Sequence, residues 1–234
     1  MSVVAAEAVG KSFGRTRVLR DLTLRVDAGE TVALFGPNGA GKSTLLRLCA
    51  TLYEPTAGVL TLFGSPARSA AVRRRIGLLS HQSFLYPDLS ARENLAFYAR
   101  LYGLARPEHV ADAWLERIGL TKSAMRPVRV FSRGMEQRLA LARTLLHAPE
   151  LVLLDEPWSA LDAAAADLLS ELLAGLRADG RTILVATHDF ARGLALAARA
   201  VILHGGRVVW EASRSEAMAS VQDVYRQVTG AVAA

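Results

Sequence analysis

The apolar positions of the chain follow two periods, one typical of strands and one typical of helices. From Leu22 to Val26 apolar and polar residues alternate, which predicts a half-buried strand, whereas the apolar run from Val32 to Phe35 predicts a buried one. Strands are predicted at 2–9, 18–26, 31–35, 58–63, 76–80, 151–154, 182–186, 200–204 and 207–211. Helices are predicted at 43–52, from 90 to about 102, at 107–118, 132–147 and 163–176, and after the last strand.

The middle of the chain differs from the segments on either side of it. Residues 83–147 are predicted to be wholly helical, and Ser90 with Glu93 fits a capping box. On both sides strands alternate with helices, which predicts an α/β domain whose mostly parallel sheet is covered on both faces. The expected division is a core of residues 1–82 and 148–234 and an inserted α-helical subdomain of residues 83–147, with an alanine-rich tail at 231–234 that frays.

The composition fits a folded domain and excludes several kinds of site. The 234 residues are 51% hydrophobic and 21% charged, which allows a buried core and argues against disorder. The one cysteine, Cys49, excludes an internal disulfide framework, a cysteine-based zinc site and an iron–sulfur cluster. The five histidines lack ligand-like spacing, so we expect no structural metal site.

The net charge and the lengths of the apolar runs bear on whether the chain binds nucleic acid or crosses a membrane. The net charge is +6, but the basic residues are spread along the chain, so we expect no nucleic-acid partner. No uncharged apolar run reaches about 18 residues, which predicts no membrane-spanning helix. The first ten residues lack the pattern of a secretory signal. We therefore expect an intracellular protein that reaches a membrane only through partners.

Residues 36–43 match the phosphate-binding motif G-x-x-x-x-G-K-[ST]. The loop follows a predicted strand and opens a predicted helix, which is the context that the motif requires. Lys42 should reach the β- and γ-phosphates of a nucleotide, and the Ser43 hydroxyl should ligate Mg²⁺. The residues expected to bind the nucleotide here are Gly36, Pro37, Asn38, Gly39, Ala40, Gly41, Lys42, Ser43 and Thr44.

Two carboxylates follow the predicted strand 151–154. Ligands of open parallel sheets bind at the carboxyl ends of the strands, so Asp155 and Glu156 should face the phosphate loop. Asp155 can hold Mg²⁺, usually through water. Glu156 is the group expected to orient or deprotonate an attacking water.

The segment from Phe131 to Arg138 narrows the choice among nucleotide hydrolases. It resembles the signature motif of ATP-binding cassette (ABC) ATPases, and the other motifs of that family follow in the expected order over roughly residues 3–210. The resemblance implies a P-loop NTPase (RecA-like) core with an N-terminal antiparallel β part and an inserted helical subdomain. The matching positions are Phe13 for adenine stacking, Gln82 for the Q-loop, Ser132 and Gly134 for the signature, Ser159–Asp162 for the D-loop and His188 for the switch histidine.

The resemblance also implies the roles of these residues. Catalytic roles fall to Glu156, His188, Lys42 and Gln82, and Mg²⁺ ligation to Ser43, Gln82 and Asp155. Phe13, Ser132, Gly134 and Asp162 would join the loop residues in binding ATP. Two positions depart from the family pattern, because Arg133 replaces the first signature glycine and Met135 stands at the usual glutamine. We expect the Arg133 side chain to point away from the nucleotide.

The family implies a homodimer with two ATP molecules at its interface, each between Lys42 of one subunit and Ser132 of the other. It further implies separate transmembrane permease subunits, docked on the helical insert, and a peripheral position at the cytoplasmic face of the cell membrane. Charge-assisted hydrogen bonds through the γ-phosphate contribute on the order of 1.5–3 kcal/mol each, so hydrolysis should open the dimer.

A narrower resemblance concerns the substrate. His81-Gln82, Asp88–Leu95, Phe97–Tyr102 and Phe131–Met135 look like the ATP-binding subunit of the haem exporter of cytochrome c maturation. The alternatives are a drug, lipid or polysaccharide exporter, a soluble ABC protein that acts on DNA or ribosomes, and a scaffold that binds ATP without hydrolysing it. The intact Lys42 and Glu156 argue against the scaffold.

Overall fold

The computed structural model describes residues 1–67, 69–159 and 161–230, and the D-loop residue Ala160 and the predicted fraying tail at 231–234 lie outside this range. Ten strands are found in the described residues: β1 (Ser2–Phe13), β2 (Thr16–Asp27), β3 (Thr31–Phe35), β4 (Ala57–Leu62), β5 (Ser65–Pro66), β6 (Ile76–Leu79), β7 (Leu151–Asp155), β8 (Thr182–Ala186), β9 (Arg199–His204) and β10 (Arg207–Ser213).

The described helices are α1 (Lys42–Cys49), α2 (Ala70–Arg73), α3 (Ala91–Leu101), α4 (Pro107–Arg117), α5 (Arg133–Leu145), α6 (Ala163–Ala178), α7 (Phe190–Leu196) and α8 (Arg214–Thr229), with short 3₁₀ helices at Thr121–Ser123 and Val128–Val130. No helix in the described part of the chain is both long enough and apolar enough to cross a bilayer.

The strands form two sheets. A four-stranded sheet, with the order β2-β1-β4-β5, is antiparallel. A six-stranded sheet has the order β10-β9-β3-β8-β7-β6, and its strands are parallel except for β10, which pairs antiparallel with β9. The predicted α/β class, the mostly parallel sheet and the antiparallel β part near the beginning of the chain are therefore confirmed.

The core lies on both faces of the six-stranded sheet. Successive residues of β3 point to opposite faces, so Leu34 packs with α1 and the antiparallel sheet while Phe35 packs with α6, α7 and α8. A third apolar cluster holds the helical insert together and is centred on Leu95, Leu115 and Leu139. Each fully buried leucine contributes about 1.5–3 kcal/mol relative to an exposed one. Because such leucines lie on both faces of the sheet, their burial stabilises β3 and β7 up to the edge where these strands end.

The helical insert contains α3, α4 and α5, but the prediction that residues 83–147 are wholly helical was wrong. The segment from Tyr86 to Ser90 is an ordered loop before α3. The fully buried Asn94 accepts a hydrogen bond from the Tyr86 N–H at 2.8 Å and donates to the carbonyls of Tyr86, Leu89 and Ser90. Since a side chain satisfies these backbone groups, the loop needs no helical hydrogen bonds. The capping box of Ser90 and Glu93 is present, as predicted.

Several element boundaries differ from the predicted ones. α1 ends at Cys49 and not at residue 52, because Thr51 has a left-handed backbone with φ of 61°. β1 and β2 are longer than predicted, since their pairing continues to Phe13 and Thr16 at the turn. The elements β5, α2 and α7 were not predicted.

Candidate active site

The phosphate loop connects β3 to α1, as the motif predicts. Two glycines permit its path. A Cβ on Gly36, whose φ is 152°, would lie 2.3 Å from the carbonyl oxygen of Leu203, and a Cβ on Gly41, whose φ is 106°, would lie 2.5 Å from the Leu19 side chain. The loop therefore fits against β9 and β2 only with glycine at both positions. Its backbone N–H groups and the N-terminus of α1 form the kind of site that suits a phosphate.

Lys42 is buried at the start of α1, and its Nζ donates to the carbonyls of Gly36 at 2.6 Å and Pro37 at 3.3 Å. Burial lowers the pKa of Lys42, and the negative charges of Glu156 and Asp155 partly oppose this effect. The ammonium group is thus held inside the loop by neutral carbonyls, with two carboxylates across the cavity. An anion entering the loop would give this cation a charged partner.

Asp155 ends β7 and is only 3% exposed. Neither of its carboxylate oxygens has a hydrogen-bond partner among the described residues, and Nε2 of the His81 imidazole lies 4.0 Å from Oδ2. A buried carboxylate without partners is costly unless a cation neutralises it. Mg²⁺ prefers oxygen ligands and keeps several waters, and Ser43 lines the same cavity as Asp155, so these residues fit a Mg²⁺ ion.

Glu156 follows Asp155 and has a left-handed backbone with φ of 51°. Its N–H donates to the carbonyl of Ala186 at 2.8 Å, which fixes it beside the end of β8. Its Oε2 lies 2.9 Å from Nδ1 of His188 and accepts a 3.3 Å hydrogen bond from the backbone N–H of His188. The hydroxyl of Ser159 donates to the Glu156 carbonyl at 2.7 Å. The predicted base and the predicted switch histidine are therefore in direct contact.

Lys42, Asp155 and Glu156 line one cavity of about 170 Å³. The lining consists of Val18, Pro37, Asn38, Gly39, Ala40, Gly41, Lys42, Ser43, Thr44, His81, Asp155 and Glu156. The cavity thus combines the eight predicted loop residues after Gly36 with the two predicted carboxylates, and the charged groups of Lys42, Asp155 and Glu156 line it. Such a cavity suits the phosphates of a nucleotide.

His81 also lines the cavity, although no motif in the sequence predicted a role for it in the site. The predicted Q-loop residue Gln82 is exposed and is not among the lining residues; its carbonyl accepts a hydrogen bond from Ser80 at 2.9 Å. A signal for His81 was present, because it follows the buried strand β6 at the same edge of the sheet as Asp155. The roles of Gln82 in catalysis and Mg²⁺ binding stay predictions.

The signature residues lie at the start of α5. Ser132 is exposed and caps the helix, since its Oγ accepts from the N–H of Met135 at 3.3 Å. Gly134 lies in the first turn and Arg133 is exposed. Gln137 of the same helix donates to the carbonyl of Pro157 at 3.2 Å, which joins α5 to the segment just after Glu156.

Ser132 and Gly134 are not among the residues that line the phosphate cavity of their own chain. The position of Arg133 relative to a nucleotide therefore remains a prediction.

Two other predicted nucleotide contacts lie outside the cavity lining. The ring of Phe13 is 42% exposed at the end of β1, packs edge-on against Tyr53 at 5.2 Å and lies under the ammonium group of Lys11. Its exposed face is open to a planar ligand. Asp162 is the N-cap of α6, where Oδ1 accepts from the N–H of Ala165 at 2.8 Å. Adenine stacking by Phe13 and nucleotide binding by Asp162 stay predictions.

A protein-family model described as ABC transporter matches residues 19–159, which include the phosphate loop, the start of α5 and both carboxylates. The chain belongs to the ABC transporter family. Over 199 residues it is 38% identical to the ABC transporter ATP-binding protein NatA of Bacillus subtilis, covering 83% of this chain and 81% of NatA. It is 39% identical over 214 residues to the Nod factor export ATP-binding protein I of Cupriavidus pinatubonensis, covering 90% and 66% of the two chains.

Solved structures of this family have the same fold. The ATP-binding subunit of an ABC transporter matches with a TM-score of 0.89 and 30% identity over 97% of this chain and 99% of that chain. A dimeric ATP-binding cassette in a post-hydrolysis state, bound to ADP and phosphate, matches with a TM-score of 0.83 and 30% identity over 90% and 98%. The protein is thus an ABC ATP-binding subunit with the ABC ATPase fold, and domains of this kind bind and hydrolyse ATP.

Proposed function

We propose that this ABC family member is the ATP-hydrolysing subunit of an exporter, working as a homodimer on separate membrane subunits at the cytoplasmic face of the cell membrane. The observation that carries hydrolysis is the contact between Glu156 and His188 beside the loop that holds Lys42. The dimeric cassette described above supports the homodimer. The word export in the name of the Nod factor relative supports the direction.

The proposed chemistry uses the groups at the edge of the sheet. The loop N–H groups and Lys42 would bind the β- and γ-phosphates. Ser43 and Asp155 would hold Mg²⁺, with Gln82 as a further ligand, and a bound ion would supply positive charge beside the phosphate oxygens. Glu156 orients the attacking water and accepts its proton. His188 fixes the Glu156 carboxylate through the 2.9 Å contact and faces the γ-phosphate with its exposed edge.

The second nucleotide contact comes from the other copy. Ser132 is exposed on its own chain, and the N-terminus of the 13-residue helix α5 carries a partial positive charge. In the proposed dimer this group of the partner subunit binds the γ-phosphate held by Lys42. Loss of the γ-phosphate then removes the bridge and favours the open dimer.

The proposed docking surface for the membrane subunits is a groove between the end of α1 and the helical insert. Its volume is about 490 Å³, and its lining includes Phe84, Tyr98, Tyr102 and Arg143. Phe84 is 40% exposed, and the buried guanidinium of Arg143 lies over the rings of Phe84 and Tyr98. Such a groove suits an amphipathic helix. Gln82, two residues before Phe84, would report the nucleotide state to this surface.

Two classes of transported molecule are compatible with the proposed exporter. The sequence resemblance favours haem, in the release or loading of a haem chaperone during cytochrome c maturation. The relatives described above carry the names NatA and Nod factor export, which favour an exporter of another substrate. The membrane partner decides between the two, because the motifs of this chain serve ATP and no residue here needs to touch the cargo.

A mild-detergent purification of the tagged chain from its native membranes, with mass spectrometry of the co-purifying proteins, tests the proposal. A small multispan protein together with a haem-handling membrane protein supports the haem exporter. A different permease supports the ATPase mechanism with another substrate. If no membrane protein co-purifies at near-stoichiometric amounts, the exporter proposal is wrong.

A further inference from the structure

The switch histidine is placed by its backbone more than by its side chain. His188 lies between β8 and α7, and its side chain is 77% exposed. Its imidazole has one hydrogen-bonding partner among the described residues, Glu156. The preceding residue, Thr187, donates its N–H to the carbonyl of Leu34 at 3.2 Å. The backbone before His188 is thus anchored to β3, and the backbone after it continues into α7, which begins two residues later.

α7 is held against the last residue of β3. The ring of Phe190 stacks on that of Phe35 with centroids 4.7 Å apart and an interplanar angle of 30°. One turn later α7 carries Gly193, where an added Cβ would lie 2.8 Å from the Phe35 ring. Phe35 is fully buried and directly precedes the phosphate loop. The N-terminal turn of α7 therefore sits on the strand that carries the loop.

Phe190 also contacts the C-terminal helix α8. The ring of Tyr225 on α8 meets that of Phe190 edge-to-face, with centroids 5.2 Å apart and an angle of 78°. Such pairs contribute about 0.5–1.5 kcal/mol beyond the area that they bury. A capping box of Ser213 and Glu216 fixes the start of α8. Phe190 thus contacts both the buried strand β3, through Phe35, and α8, through Tyr225.

We propose that Tyr225 is a positioning residue for ATP hydrolysis, acting through Phe190 on the switch histidine, and that α8 braces the active site. This inference rests on the proposed function. β3 is paired with β8 on one side and β9 on the other, so loss of the Tyr225 ring should leave Phe35 in place and loosen the first turn of α7. The effect should fall on the Glu156–His188 contact and spare the loop around Lys42.

The test compares Tyr225→Leu with Tyr225→Phe and Val221→Ala in the chain purified with its membrane subunits. Tyr225→Leu should lower kcat about tenfold, since a shift of about 1 Å at a catalytic group can cost up to 10²-fold, and the KM for ATP should change less than about twofold. Tyr225→Phe keeps the ring contact and should match the parent. Val221, buried in the same cluster one turn earlier, controls for weakened packing of α8, and its alanine variant should lower the Tm but keep kcat.

A second comparison separates positioning from general destabilisation. In a His188→Ala background, Tyr225→Leu should cause no further loss of kcat, because the residue that it positions is absent. Equal losses with and without His188, or an equal kcat loss in Val221→Ala, would overturn the role of Tyr225. A parent that hydrolyses no ATP would instead overturn the proposed function, and with it this inference.

Discussion

Nδ1 of His188 and Oε2 of Glu156 lie 2.9 Å apart at the carboxyl ends of the neighbouring parallel strands β8 and β7. The register of these strands pairs Asp155 with Ala186, and the Glu156 N–H continues the ladder by donating to the Ala186 carbonyl. Strand pairing therefore sets the backbone on both sides of the contact. The fold therefore brings the carboxylate and the imidazole together within one chain.

Glu156→Gln should lower the rate of ATP hydrolysis roughly 10²–10⁴-fold, because the amide orients water but cannot accept its proton. The affinity for ATP should stay close to that of the parent, since the loop around Lys42 is unchanged. Steady-state phosphate release and nucleotide binding measure the two effects. Glu171→Gln, an exposed change on α6, is the matched control and should keep full activity. Turnover at the parental rate in Glu156→Gln would remove Glu156 from the mechanism.

Lys42→Met should separate stability from nucleotide binding. Burial lowers the pKa of Lys42, so this charge costs the folded state free energy when no anion is bound. The methionine variant should melt at the same temperature as the parent or higher without nucleotide. In the parent, ATP with Mg²⁺ should raise the Tm, because a ligand at 100 times its Kd stabilises the folded state by about 2.7 kcal/mol. The methionine variant should lose this increase in Tm. Lys122→Met, an exposed change, should keep that increase. Retained ATP stabilisation in Lys42→Met would contradict the assignment.

Ser132→Ala should reduce ATP hydrolysis and destabilise the fold by about 1 kcal/mol, because Ser132 caps α5 in addition to its proposed contact across the dimer. Ser90→Ala is the matched control, since Ser90 caps α3 in the same insert and lies outside the cavity lining. Both variants should lower the Tm. Hydrolysis measured well below either Tm should fall only in Ser132→Ala, and an equal fall in both would indicate a structural role alone.

Periodicity predicted most of the fold because the sheet strands are short, apolar and regular. β3, β7 and β8 were found within a residue of the predicted bounds. The sequence could not show α7, because its seven residues include a glycine that packs against Phe35 and give too few turns for a period. The loop before α3 was missed because a buried asparagine, and not a turn motif, holds it.

Motifs placed the phosphate loop and the two carboxylates correctly around one cavity. They did not predict that His81 would line this cavity or that Tyr225 would contact the helix after the switch histidine. Both contacts join residues far apart in sequence, and neither residue stands in a recurrent motif.

His147 should make the fold sensitive to mild acid. It stacks on Tyr102 with centroids 3.8 Å apart and contacts the Ile76 carbonyl, and burial lowers its pKa from 6.5 to about 4. Between these values the unfolded chain binds a proton that the folded chain does not. Stability is therefore unaffected above the unfolded pKa and falls as the pH drops below it, by about 2 kcal/mol between pH 7 and pH 5.

Urea unfolding of His147→Phe at the two pH values measures this contribution. The phenylalanine keeps the stack on Tyr102 but does not titrate, so the pH-dependent loss should shrink by about 2 kcal/mol. His109→Gln, an exposed change on α4, should retain the parental pH dependence. A loss of the same size in parent and His147→Phe would show that other groups cause it.

The central claim is that ATP joins two copies of this chain and that Glu156 controls their separation. Light scattering during size-exclusion chromatography of Glu156→Gln, with and without ATP and Mg²⁺, tests it most directly. We expect the 25.1 kDa mass of one chain without nucleotide and about twice that mass with ATP, returning to the monomer when ADP replaces ATP. A chain that binds ATP and remains a monomer would contradict the account.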